Sequence, residues 1–122
     1  MNSLTITLPL PVEELKTNKK CHWAVKDRAT KAARTRACAT AWQQLGVRTK
    51  PLWEKATLLY TFYYKTAAHH DDDNSIHSMK AVRDGLADAK IVANDKNFST
   101  LTPIMLKDKD NPRVEITITK GE

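Results

Sequence analysis

The sequence predicts a single α+β domain, residues 1–122, in which a mixed β-sheet packs with two main helices in the order β-α-β-α-β-β. Three observations predict it. Apolar and polar residues alternate at both ends of the chain, over Leu4-Thr5-Ile6-Thr7-Leu8 and over 113–119 (RVEITIT), and period two belongs to half-buried strands. Residues 24–45 are rich in alanine, the best helix former. The apolar, aromatic run KATLLYTFYYK at 55–65 reads as a strand, and beyond it Ile76, Met79, Val82 and Leu86 are spaced as the core face of a second helix. A chain of 122 residues has room for one core of ordinary size.

Each element follows from local chemistry. Pro9 and Pro11 stop the first strand, because proline cannot donate to a ladder. Residues 12–22 are polar and lysine-rich and read as a loop. In the helix at 24–45, Val25, Ala29, Ala32, Arg36 and Ala39 follow 4,3,4,3 spacing, a narrow face suited to close approach, and Gly46 suits the C-terminal cap. The run 55–65 is the strongest strand, and its continuous apolar character places it centrally. The second helix is expected from Asn74 or Ser75 to Ala89, with Gly85 marking close packing rather than a break. Residues 91–97 form a turn, and 98–106 and 113–119 form two strands that the KDKDNP turn joins as an antiparallel hairpin. The first two strands, joined through a helix, suit a parallel arrangement.

Composition narrows the function classes. With 41% hydrophobic and 28% charged residues the chain reads as globular, not disordered. It has no apolar run of the roughly 18 residues a bilayer span needs, and its first residues do not resemble a signal peptide, so the cytoplasm is the expected location. Cys21 and Cys38 form no CxxC pair and read as reduced thiols, not zinc ligands. A net charge of +6 points to a polyanionic partner, nucleic acid or an anionic membrane surface. Lysines and arginines are dense from Lys16 to Lys50, where Asp27 is the sole acid, and Trp23 and Trp42 stand among them.

Against that background the stretch HHDDDN, 69–74, is out of place. In an extended segment Asp71 and Asp73 point the same way and Asp72 the other, so the useful unit is D-x-D. Two carboxylates side by side repel, and a divalent cation such as Mg2+ or Mn2+ removes that cost. A helix N-terminus also attracts acids through its dipole, which accounts for one or two of them. Asp73, His77, Lys80, Asp84 and Asp88 share one helix face opposite the apolar one. There Lys80 either neutralises charge on a phosphate or pairs with Asp84 on a wet surface. Asp95, in the turn after the helix, is a third acid if that turn returns to the strand end bearing Asp71 and Asp73. His69 and His70 read as phosphate contacts or exposed residues before metal ligands.

These parts together resemble the RusA family of Holliday junction resolvases, small endonucleases often borne by phages or prophages. The resemblance rests on D-D-D-N, then K-A-V-R-D-G-L, I-V-A-N-D and the terminal P-R-V-E-I-T-I, with I-T-L-P-L-P at the start. It is good over residues 55–120 and weak over 10–50, where the family's P-P-S-x-N stretch appears only as P-V-E-E-L-K-T-N. The resemblance implies that Asp71, Asp73 and Asp95 hold one or two Mg2+ ions, with Mn2+ also suited. Asn94 stands where the family has the first acid of its later pair. Three extra residues follow Asn74, so either Lys80 or His77 takes the place of the family's lysine, and the D-G-L match favours Lys80. The implied activity is a homodimeric, Mg2+-dependent endonuclease that binds four-way DNA junctions and nicks two opposing strands. Lys19, Lys20, Lys26, Arg28, Lys31 and Arg34 would contact DNA phosphates. Two other classes remain open: a nuclease for flaps and branched replication intermediates, and a DNA-binding module whose acids only cap a helix.

Overall fold

The computed structural model describes residues 1–12, 15, 22–66 and 72–122, with the backbone alone described at 72–74. The elements are β1 (Ser3–Leu8), α1 (Trp23–Leu45), β2 (Ala56–Tyr64), α2 (Asp72–Ser78), α3 (Lys80–Asp88), β3 (Phe98–Thr100), β4 (Ile104–Lys107) and β5 (Arg113–Lys120). The mixed α+β architecture is the one the residue pattern predicts. Helix α1 starts where the His22 Nδ1 accepts the Ala24 N–H at 3.2 Å. It ends at Gly46, whose positive φ of 81° suits glycine and whose N–H reaches Trp42 O at 2.7 Å.

The sheet has the order β1-β5-β2-β3, and β4 continues the β3 edge farther along β2. β2 pairs in parallel with β3 (Ala56 opposite Phe98) and β4 (Thr61 opposite Ile104), and antiparallel with β5 (Tyr60 opposite Ile116). β5 also pairs antiparallel with β1. β1 and β2 therefore run in the same direction, as expected, with β5 between them.

Helices cover one face of the sheet. On that face Leu4, Ile6 and Leu8 of β1, Leu58, Tyr60 and Phe62 of β2, and Val114, Ile116 and Ile118 of β5 are buried, together with Met79, Val82 and Leu86 from the helices. Each such aliphatic or phenyl side chain contributes roughly 1.5–3 kcal/mol of transfer free energy. The opposite face carries Thr5, Thr7, Thr61 and Thr117, and there the Arg113 guanidinium lies 3.8 Å from the centroid of the Tyr63 ring. β2 is central but alternates between buried and half-buried positions, because only one face is covered.

Four expectations are corrected. The last two strands are not a hairpin: β4 and β5 flank β2 on opposite sides, so the Asp108–Pro112 turn passes over its end. That turn is held by the Asp108 carboxylate, which accepts the Asp110 and Asn111 N–H groups at 3.2 and 3.1 Å. The strand expected over 98–106 is two strands, interrupted at 101–103 where Pro103 has no N–H to offer. The second helix begins at Asp72 and is divided at Met79 (φ −94°, ψ 2°). The core-facing positions of α1 are Ala37 and Ala41, with Ala33, Cys38, Trp42 and Leu45 packed beside them. Ala29, Ala32 and Arg36 of the expected face line instead an apolar cavity of about 260 Å³ beside Leu8–Val12. Among the described residues no helix is long and apolar enough to cross a membrane.

Candidate nucleic-acid interface

Helices α1 and α3 lie side by side and run the same way, from the end of the sheet where β1 and β2 finish (the upper end) to the end where β2 starts (the lower end). Contacts in order along the pair establish this: Lys26 and Thr30 border the same cavity as His77 and Lys80, Arg34 pairs with Asp88, and the Trp42 Nε1–H donates to Ala89 O at 3.2 Å. Gly85 explains the close approach. A Cβ there would run into the carbonyl oxygen of Arg34 and come within 2.9 Å of the Ala37 Cβ. Close packing at Gly85 is what the sequence suggests.

The lower half of this seam is closed by charge. Arg34 grips Asp88 with two hydrogen bonds, Nε to Oδ2 at 2.6 Å and Nη2 to Oδ1 at 2.8 Å. Hydrogen bonding and attraction from Asp88, opposed by burial and helped by Asp84 and Asp95, hold the Arg34 guanidinium protonated well above its ordinary range. The hydrogen bond from Arg34 holds the Asp88 carboxyl below the usual carboxylate range. Burial, with Asp88 nearby, pushes the half-buried Cys38 thiol up, so it is a poor nucleophile.

The upper half is open. A cleft of about 170 Å³ is floored by buried Leu15 and lined by Lys26 and Thr30 of α1 and by His77, Lys80 and Asp84. The face that the sequence assigns to His77, Lys80 and Asp84 is therefore the one turned to this cleft. Lys80 meets Asp84 only loosely, at 3.8 Å, with 70% of its side chain exposed. Among the described residues Lys26 and His77 have no acidic partner. Both candidates for the family's lysine place, Lys80 and His77, thus border one cleft.

The remaining predicted residues distribute unevenly. Asp71, His69, His70, Lys19 and Lys20 lie outside the described residues. Asp73 is in the first turn of α2, with its backbone alone described. Arg28 is exposed on α1, and Lys31 pairs with Asp27 at 3.0 Å on the same helix. Arg34 is committed to Asp88 and is not a free phosphate contact.

The turn bearing Asp95 does not return to the strand end from which α2 starts. Asp95 precedes Phe98, which pairs with Ala56 at the beginning of β2, and Trp53 N–H donates to Ile91 O at 2.9 Å beside it. Asp73 and Asp95 therefore stand at opposite ends of the α2–α3 pair. From Asp73 to Asp84, a neighbour of Asp95 around a polar cavity of about 160 Å³, the helices advance on the order of 15 Å. Carboxylates that share a cation sit within about 2.0–2.6 Å of it. One copy of the chain does not bring Asp73 and Asp95 to a common ion. Among the described residues no group of three or more His, Cys, Asp or Glu side chains is placed to hold a metal.

What fixes the Asp95 turn is Arg83, which the sequence alone does not single out. Its Nε and Nη2 donate to Asp95 O at 3.2 and 3.0 Å, and Nη2 donates to Phe98 O at 2.7 Å. The Asn94 side chain caps the same turn by accepting the Lys96 N–H at 3.2 Å. An arginine inside the second helix, within K-A-V-R-D-G-L, is the signal available beforehand, but its half-buried position is visible only in the fold.

Fold and cleft together describe a two-layer α+β domain with an open cationic groove between parallel helices. No family model matches the chain. A protein of Xylella fastidiosa strain Temecula1, described as uncharacterized, is 34% identical over 119 residues, covering 94% of this chain and 75% of its own length. The chain belongs to the same family as that protein.

Proposed function

We propose that the chain is a metal-dependent endodeoxyribonuclease of the RusA type, resolving four-way DNA junctions by paired symmetric nicks. The observation that carries this reading is the convergence of Lys26, His77 and Lys80 on one cleft along the helix pair that begins at D-D-D-N. A phosphodiester drawn into that cleft would lie at the same end of the fold as Asp73, in the first turn of α2. Asp71, Asp73 and Asp95 would hold Mg2+, or Mn2+, and a bound ion would lower the pKa of water and stabilise charge at phosphorus. Lys80 would offset negative charge on the phosphate, with His77 beside it. Lys26 and Arg28 would contact the backbone, which carries the affinity for a branched shape. A cytoplasmic location fits such an enzyme.

The placement of Asp95 gives the reading a definite form: a homodimer in which Asp71 and Asp73 of one copy face Asp95 of the other. Cleavage of a four-way junction, a Y-fork and a duplex, each with Mg2+ and with EDTA, tests the activity. A strong junction preference that EDTA abolishes is expected, and Asp73→Asn should lose at least 100-fold in rate, the order of effect for a group acting on developing charge. Equal cutting of duplex would sink the resolvase reading, preference for the fork would favour the flap nuclease, and DNA binding without any cleavage, unchanged in Asp73→Asn, would leave only a binding module. Mixing Asp73→Asn with Asp95→Asn tests the shared site. Mixed dimers would regain one working site and nick a single strand; no recovery would place all three acids within one copy.

A further inference from the structure

We propose that the upper end of the α1/α2–α3 cleft is a subsite for one unpaired nucleotide, with its phosphate against Lys26, His77 and Lys80 and its base stacked on Trp23. The inference rests on the nucleic-acid reading above and adds to it the part of the substrate that this surface selects. Three tryptophans occupy the chain, and two have structural work: Trp53 is buried, and Trp42 donates its indole N–H to Ala89 O. Trp23 is 75% exposed, so its indole contributes little to folding. It is nonetheless held in place. His22, fixed by its Nδ1 cap on α1, stacks with the Trp23 ring at 5.7 Å and 30°.

The face on which Trp23 stands is set by the helix period. Arg34 and Ala37 face α3, by the Asp88 bonds and the Gly85 approach, and Thr30 and Lys26 line the cleft about one and two turns above Arg34. Trp23 precedes Lys26 by three residues and Thr30 by seven, so it continues the same face past the mouth of the cleft. Cations inside a groove with an aromatic ring at its mouth are the two parts of a single-strand nucleotide site. A paired base has both faces covered by its neighbours in the stack, so Trp23 can take only an unpaired or terminal base. A branch point supplies such bases, and a continuous duplex does not.

The test uses the full chain in EDTA, so that binding is read without cleavage. The probes are a fluorescent continuous duplex, the same duplex with a five-nucleotide gap, an oligo-dT strand and thymidine monophosphate. Wild type should bind the gapped duplex and oligo-dT more tightly than the continuous duplex, with quenching of indole emission. Trp23→Ala should reduce that preference about tenfold and remove the quenching, while Trp23→Phe keeps most of the preference. Lys26→Gln should weaken the gapped duplex and oligo-dT and lower their salt slope by about one, while indole quenching by bound oligo-dT at saturation persists. An unchanged ratio in Trp23→Ala, with its melting temperature at the wild-type value, would overturn the subsite. So would thymidine monophosphate binding as tightly as oligo-dT, which would mean a free-nucleotide pocket. Wild type binding no DNA at all would instead overturn the nucleic-acid reading on which the subsite rests.

Discussion

The two halves of the α1/α3 seam use one helix pair to opposite ends. In the lower half, Gly85 lets the backbones touch, Arg34 and Asp88 neutralise each other, and Trp42 reaches across to Ala89. In the upper half a cleft lined by Leu15 opens between the helices, and Lys26, His77, Lys80 and Asp84 border it. The lower half has Arg34 matched by Asp88 and its helix backbones in close contact, as a stable core margin requires. Among the described residues the upper half leaves Lys26 and His77 without an acidic partner and Lys80 only loosely paired, which adds little to stability and suits an anionic partner. The difference separates residues that hold the fold from residues available to a ligand. It predicts that substitutions in the lower half will cost stability and that substitutions in the upper half will cost affinity.

The sharpest way to break the comparison is Gly85→Ala. In an open helix this change would stabilise by about 1 kcal/mol. Here the added methyl meets Arg34 O and Ala37, so a net loss of about 2 kcal/mol is expected, seen as a fall of roughly 8 °C in thermal melts. A rise in melting temperature would show that the helices are not in contact there. Arg83→Met comes next, at roughly 2 kcal/mol, because it strips the carbonyls of Asp95 and Phe98 of their donor. Hydrogen exchange should quicken at 95–100 and stay unchanged in β1; uniform quickening would mean that Arg83 supports the whole core.

Asp88→Asn is expected to cost less than about 1 kcal/mol at neutral pH, since both partners are roughly half exposed to solvent at 50% and 40%. It also has a pH signature. The Asp88 carboxyl is depressed in the folded chain, so its contribution is present above the ordinary carboxylate value of about 3.9 and is lost as pH falls through the lower folded value. Acid melts from pH 5 downward should therefore show a shallower decline in Asp88→Asn than in wild type. Parallel declines would remove the ion pair from the stability of the lower half. Smallest of all is the change in melting temperature for Lys80→Gln, within about 0.5 kcal/mol of zero. Its effect should instead appear in DNA affinity at low salt, and a loss of stability without a loss of affinity would reverse the roles of the two halves.

Comparison of particular elements shows what was legible beforehand. The alternation in ITITL and RVEITIT placed β1 and β5, and the alanine composition with Gly46 bounded α1 closely. The stripe of His77, Lys80 and Asp84 was legible because a helix repeats every 3.6 residues. The face of α1 was not, because alanines occur around most of that helix and small residues carry little directional signal. The β4–β5 hairpin failed because a short turn suggests neighbours, whereas β2 offered both of its edges and took a strand on each. Asp95 was legible as a residue but not as a position, since a turn sequence does not say where its helix ends.

The sequence by itself determined β1, α1, β2 and β5, the one-sided burial of β1 and β5 and the chemistry on one face of the second helix. All of these depend on spacing within a few residues, where backbone geometry dictates which side chains share a surface. Only the tertiary structure decided which strands touch, that Arg34 belongs to Asp88, that Arg83 holds the Asp95 turn, and that Asp95 stands at the far end of the helix pair from Asp73. Those depend on contacts between residues distant along the chain, and such contacts are selected by the packing of the whole core.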